Sequence, residues 1–181
     1  SMKIENVAGD VSLQALSGAI EICRIAGNAS MHDIGPLVLE QVSGDISLRN
    51  ISSLKAGKIS SDFTLRGCSG DCIIEAVGSD ASIRDVAGQV VIPTIGSDLY
   101  LRKADGGIDV SAGADVVLFV DPHAGLQYRV TAGDDLLLRL PPEASALLHL
   151  NGGSPDSIRI DFPGVDPAAE QSASMDVTLG N

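Results

Sequence analysis

Tryptophan is absent from this chain, and its 181 residues include only three Phe and two Tyr. A core without large rings must be built from Ile, Leu, Val and Ala, which suits a stack where each side chain packs on a similar one above and below. The same scarcity argues against a carbohydrate-cleaving enzyme on a β-helix, because such sites set grouped carboxylates beside aromatic platforms.

Positive charge is also short. Twelve Lys and Arg stand against 24 Asp and Glu, a formal net charge of -12 that opposes binding to nucleic acid or to an anionic membrane surface. No apolar run approaches the ~20 residues of a membrane-spanning helix, so no membrane insertion is expected of this stretch. No charged-then-apolar leader opens it. Ser1 ahead of Met2 has the look of an expression remnant, and Met2 to Asn6 reads as the end of a repeat. The natural chain is therefore expected to continue upstream, and Gly180-Asn181 gives the same expectation at the other end.

Cys23, Cys68 and Cys72 are odd in number and lack the paired spacing of a zinc ribbon or redox site. Cys68 and Cys72 occupy positions that are apolar in neighbouring repeats, so they read as buried thiols. Unpaired thiols favour a reducing compartment such as the cytoplasm. His32, His123 and His149 share no motif spacing, and no Gly-x-Ser-x-Gly elbow occurs. No catalytic residue, metal site or cofactor is expected.

What the chain does have is one phrase said repeatedly. Val42-Ser-Gly-Asp-Ile-Ser-Leu-Arg-Asn-Ile51, Val77-Gly-Ser-Asp-Ala-Ser-Ile-Arg-Asp-Val86 and Ile95-Gly-Ser-Asp-Leu-Tyr-Leu-Arg-Lys-Ala104 share a pattern. It reads apolar, any, Gly or Ser, Asp, apolar, small polar, apolar, Arg. The opening apolar residue recurs at Val7, Leu16, Ile25, Ile34, Val42, Ile51, Ile59, Cys68, Val77, Val86, Ile95 and Ala104, in steps of nine with two steps of eight. Such a unit holds one short strand and one turn, which predicts an all-β parallel β-solenoid.

Alternate repeats match better than adjacent ones. Their fourth positions are Asp10, Asn28, Asp45, Asp62, Asp80 and Asp98, against Ala19, Pro36, Ser53, Asp71, Gln89 and Gly107 in the repeats between. The structural period is therefore about 18 residues, with two strands per coil on two opposed faces. Period-2 alternation points Val11 and Leu13, Ile46 and Leu48, Phe63 and Leu65, and Leu99 and Leu101 inward from the uniform face. Ile20 and Ile22, Leu37 and Leu39, Val90 and Ile92, and Ile108 and Val110 point inward from the other. Residues 1–113 form the regular repeats. Residues 114–181, where the strands lengthen and the Asp121-Pro122 and Pro141-Pro142 turns appear, are expected to form wider rungs and a C-terminal cap. Strands are predicted at Ala146 to Leu150, Ser157 to Phe162 and Met175 to Leu179, with a disordered loop over Pro163 to Ser174.

Three columns point outward from the uniform face: the Asp/Asn column; Ser12, Ser30, Ser47, Thr64, Ser82 and Tyr100; and Gln14, His32, Arg49, Arg66, Arg84 and Arg102. The Asp column lacks the Gly-Gly-x-Gly-x-Asp turn of calcium-binding repeats, so its side chains are expected to bond local backbone at each corner while Gly supplies a strained dihedral. An ice-binding array is excluded because Thr64 is the only Thr in its column. In the third column, like charges ~4.8 Å apart repel by ~0.9 kcal/mol per neighbour in water. The Asp column lies ~13 Å away along the strand, beyond the ~8 Å Debye length. Arg49, Arg66, Arg84 and Arg102 are therefore the candidate ligand-binding residues, for an acidic glycan, a phosphate group or an acidic partner. Asp33 and Asp85 at the next corner are placed to offset part of that charge. On the opposed face, Glu21, Val38, Lys55, Ile73, Val91 and Asp109 point outward, a partly apolar surface suited to a covering segment or second subunit.

Val-Ser-Gly-Asp-Ile-Ser-Leu at 42–48, Val-Ala-Gly-Asp-Val-Ser-Leu at 7–13 and Asp-Leu-Leu-Leu-Arg-Leu-Pro-Pro at 135–142 resemble the bacterial adhesin-type family of uncharacterised β-strand-repeat domains. The resemblance covers most of the chain. It implies a parallel β-solenoid with a non-enzymatic role, at the cell envelope, and transfers no catalytic residue. The filament-forming bacterial solenoids called bactofilins are a second resemblance, and imply end-to-end stacking. The partners left open are another protein, a second copy of the chain, or an acidic glycan.

Overall fold

The computed structural model describes residues 1–123, 125–154, 156–161 and 173–179. Among them there is no helix, and all strands join one sheet that coils on itself. The first coils hold β1 (Met2–Val7), β2 (Val11–Leu16), β3 (Ile20–Ile25), β4 (Ala29–Val42) and β5 (Ile46–Ile59). The middle coils hold β6 (Phe63–Cys68), β7 (Cys72–Val77), β8 (Ala81–Val86), β9 (Val90–Ile95), β10 (Leu99–Ala104) and β11 (Ile108–Ala112). The last hold β12 (Val116–Phe119), β13 (Gln127–Ala132), β14 (Leu136–Arg139), β15 (Ala146–Asn151), β16 (Ile158–Asp161) and β17 (Ser174–Leu179).

The molecule is a parallel β-solenoid of about nine turns, with coils about 18 residues apart. Like strands stack in register: Leu48 pairs with Leu65, Leu65 with Ile83 and Ile83 with Leu101. On the opposed face Leu37 pairs with Leu54, Leu54 with Cys72 and Cys72 with Val90. Each strand thus hands its N–H and C=O groups to the coil above and below, which removes the need for any helix to cover the backbone.

The inward residues form a single apolar column between the faces. Leu48, Leu65, Ile83 and Leu101 have no exposed surface, as have Ile74, Val90 and Ile92 on the other wall. Each such side chain contributes about 1.5–3 kcal/mol by burial. The opening residues close the corners, and Ile25, Val42, Ile59 and Val77 are sealed within them. Leu13 is only half-buried, because the coil that carries it has a neighbour on one side alone among the described residues.

Two features depart from a simple two-strand coil. The eight-residue repeats do not break the strand. β4 and β5 each run through 14 residues, because losing one residue at the corner lets pairing continue across it, with Ile34 on Ile51 and Pro36 on Ser53. The later coils widen, from 17 or 18 residues to 20 between Asp115 and Asp135 and 22 between Arg139 and Asp161, but the expected lengthening of their strands is corrected: β12, β14 and β16 have four residues each, and the added residues lie between strands. The stretch beyond β12, with Asp121 and Pro122, makes the first widening. Tyr128 fills the space inside it, fully buried, with its hydroxyl accepting the backbone N–H of His123 at 3.3 Å.

The far end carries a cap of reversed sense: β17 runs antiparallel to β15, with Leu148 opposite Val177. The three late strands fall where alternation placed them, within one residue at their starts. The loop expected over Pro163 to Ser174 lies outside the described residues except for its last two, and Ser174 begins β17.

Candidate functional site

The uniform face presents its three columns side by side. In the Asp column each side chain reaches the next coil rather than its own corner. Asp10 Oδ1 accepts the backbone N–H of Asn28 at 2.7 Å, and Asn28 Oδ1 accepts that of Asp45 at 2.8 Å. The pattern continues from Asp45 to Asp62 at 3.4 Å, Asp62 to Asp80 at 3.3 Å, Asp80 to Asp98 at 3.2 Å, Asp98 to Asp115 at 3.1 Å and Asp115 to Asp135 at 3.0 Å. Asp45 also accepts from the Ser61 hydroxyl. The expected local backbone bonds are therefore corrected to bonds between coils, which clamp the turns where strand pairing lapses.

The role expected of Gly is corrected too. Gly27 and Gly44 are not among the residues with left-handed backbone. They are small because the previous turn lies against them: a methyl on Gly27 would meet the Asp10 carboxylate and lie 2.7 Å from the Gly9 backbone. Where Gly27 or Gly44 precedes the donating residue the clamp is shortest, and where Ser61, Ser79 or Ser97 replaces it the bond stretches past 3.1 Å.

Left-handed backbone occurs instead at the opposite corner of the same strands, at Ala15, Asp33, Asn50, Gly67, Asp85 and Lys103, with φ between 52° and 80°. This column turns the chain from one face to the other, and Asn, Asp and Gly tolerate that conformation best. Its side chains pair with one another: Asn50 Nδ2 donates to Asp33 Oδ1 at 2.9 Å, and Lys103 Nζ lies 3.5 Å from Asp85. The Asn50 hydrogen bond, helped by that of His32, holds the Asp33 carboxyl below the usual carboxylate range.

The Arg column is consequently left without carboxylates. Of the two carboxylates expected to offset it, Asp85 is engaged by Lys103 within its own corner column, and Asp33 by Asn50 there and by His32 of the third column, so neither reaches an Arg of that column. Arg49, Arg66 and Arg102 are exposed and make no ion pair or side-chain hydrogen bond among the described residues. Arg84 differs: it is half-buried, with its guanidinium carbon 5.1 Å from the centre of the Tyr100 ring. Its Nε is shut off from solvent and meets no acceptor among the described residues. Tyr100 in turn lies 5.8 Å from Phe119, and Phe119 carries Arg139 at 5.3 Å, which is bonded to Asp161 at 2.9 Å. This stack runs from Arg84 in the third column to Tyr100 in the second and back to the third at Phe119 and Arg139 while climbing the coils. Reading each column by itself misses it.

Shallow hollows open on this face. One of 470 Å³ is lined by Asp62, Asp80, Asp98, Thr64, Ser82 and Tyr100, and another of 380 Å³ by Ser30, His32, Asp33, Ser47, Arg49 and Asn50. The opposed face carries its outward residues in the expected order: Val38 is 39% exposed, and Lys55 separates it from the half-buried pair Ile73 and Val91. No described segment covers Val38.

Cys68 and Cys72 are buried as expected, and burial pushes both thiols up. Cys23 is half-buried and also shifted up. His32 sits beside Asp33, and His149 Nδ1 lies 2.7 Å from Asp176. No cluster of three His, Cys, Asp or Glu suited to a metal ion occurs among the described residues. No described helix is long and apolar enough to cross a membrane. No family model matches the chain, and no curated protein or solved structure matches it.

Proposed function

We propose that this protein is a non-enzymatic display scaffold: a stiff β-solenoid whose uniform face is the working surface. The observation that carries this reading is the division of labour between columns. The Asp side chains are spent on holding one coil to the next, as the hydrogen bonds between coils support, while three guanidinium groups of the Arg column have no partner among the described residues. A face rigid over many coils presents equal charges at a fixed interval, which suits repeated contacts better than a single reaction. The adhesin-type resemblance points the same way and extends the proposal to an envelope setting.

Light scattering with small-angle X-ray scattering at two salt concentrations tests it. A rod-shaped monomer at both salts supports display. Salt-dependent growth into filaments replaces display by self-assembly.

A further inference from the structure

We infer that the uniform face binds a linear acidic polysaccharide, a uronate-type chain lying along the solenoid axis. This rests on the display reading and names its ligand class. The binding element is a trough. Its floor is the small hydroxyl column Ser47, Thr64 and Ser82, stacked in register. One wall is the Asp column, and the other is Arg49, Arg66 and Arg84, also in register. Tyr100 stands on the floor line directly after Ser82, with Arg84 leaning over its ring.

The chemistry of the two walls selects the occupant. A guanidinium donates paired hydrogen bonds to a carboxylate, and a carboxylate wall accepts from sugar hydroxyls. A polyanion carrying charge on both edges would meet the Asp wall and be repelled. A neutral glycan would leave the Arg row unpaired. An acidic sugar chain has carboxylates and hydroxyls on one ring, and each ring advances by about one rung of ~4.8 Å. Among the described residues, Lys3, Lys103, Arg129 and Arg139 each have a carboxylate within 4 Å, whereas Arg49, Arg66, Arg84 and Arg102 have none, and unlike Arg24, Lys55, Lys58 and Arg159 these four stand in one row.

The test is calorimetric titration of the whole folded protein with oligogalacturonates of increasing length. Neutral galacto-oligosaccharides, inorganic polyphosphate and poly-glutamate serve as the other arms. Affinity is expected to rise with length and level off once the oligomer spans the Arg49 to Arg102 rungs. Arg66→Gln should weaken binding about tenfold or more with an unchanged circular dichroism spectrum. Ser82→Leu, which fills the floor without removing charge, should weaken it comparably. The assignment is overturned if no oligogalacturonate binds, if the neutral oligomer binds equally, or if Arg66→Gln binds as the parent does. Equal or tighter binding of polyphosphate or poly-glutamate also overturns it, and assigns the row to phosphate or to an acidic protein. Shortening of the bound oligomer, read by its size after incubation, overturns the non-enzymatic reading separately and leaves the trough in place.

Discussion

The carboxylate of Asp10 accepts the backbone N–H of Asn28 at 2.7 Å, across 18 residues of sequence and one turn of the solenoid. Asn28 then does the same for Asp45. An amide oxygen serves in one link and carboxylate oxygens in the others, so the position selects an acceptor at fixed reach rather than a negative charge. Repeating an exposed carboxylate every rung is tolerable because each one gains an N–H donor that partly answers its like-charged neighbours.

Acceptor identity should therefore matter more than charge. Asp80→Asn is expected to keep stability near the parent value, since the amide oxygen can still receive the Asp98 N–H. Asp80→Ala should cost about 1 kcal/mol by losing that bond. Urea unfolding of the two variants checks this, and equal losses would contradict it.

The turn beside the clamp should be intolerant of bulk. Gly27→Ala brings a methyl onto the Asp10 carboxylate and the Gly9 backbone, so an overpacking cost of about 1–3 kcal/mol is expected. An unchanged melting temperature would show that the coils have slack there.

Inward and outward positions should differ sharply. Leu65 is fully buried, and Leu65→Asp places a carboxylate in an apolar column without a partner, which should abolish folding. Val38→Asp puts the same charge on an exposed position and should leave the fold intact. Far-ultraviolet circular dichroism distinguishes the two.

Much of this arrangement was legible in the sequence, because a solenoid repeats its local chemistry at the period of its coil. Inward Leu48 and Leu65, the 18-residue period and the widening after Ala114 all follow from alternation and spacing. The contacts that join one column to another did not. Asp10 and Asn28 could be placed in one column, but which backbone group the side chain reaches depends on how closely adjacent turns approach. The left-handed corner at Asp33, Asn50, Gly67 and Asp85 left a usable signal, a run of Asp, Asn and Gly just before the next apolar opener. Ala15 and Lys103 at the same position blur it. The stack of Arg84, Tyr100, Phe119 and Arg139 had no signal of its own, since its members belong to different columns and to rungs of unequal length.

The buried thiols give a pH prediction. Burial raises the Cys72 thiol, so the folded state keeps a proton that the unfolded chain releases above its ordinary value of ~8.5. This contribution is fully present below that pH and is lost as pH rises above it. Cys72→Ala should flatten the alkaline fall in stability measured by denaturation at successive pH values. In the native protein at neutral pH, mass spectrometry after alkylation should find Cys23 modified before Cys68 or Cys72, because it alone is partly exposed.

The most direct test of the division between a structural Asp column and a free Arg column is the melting temperature of two triple variants. Replacing Asp45, Asp62 and Asp80 together by Ala removes three links between coils, and the expected loss of about 3 kcal/mol corresponds to a fall of about 6–12 °C. Replacing Arg49, Arg66 and Arg102 together by Ala should move it by no more than about 1–2 °C, or raise it as like charges are removed. Equal falls in both variants, or a larger fall in the second, would contradict the assignment of one column to holding the coils and the other to binding.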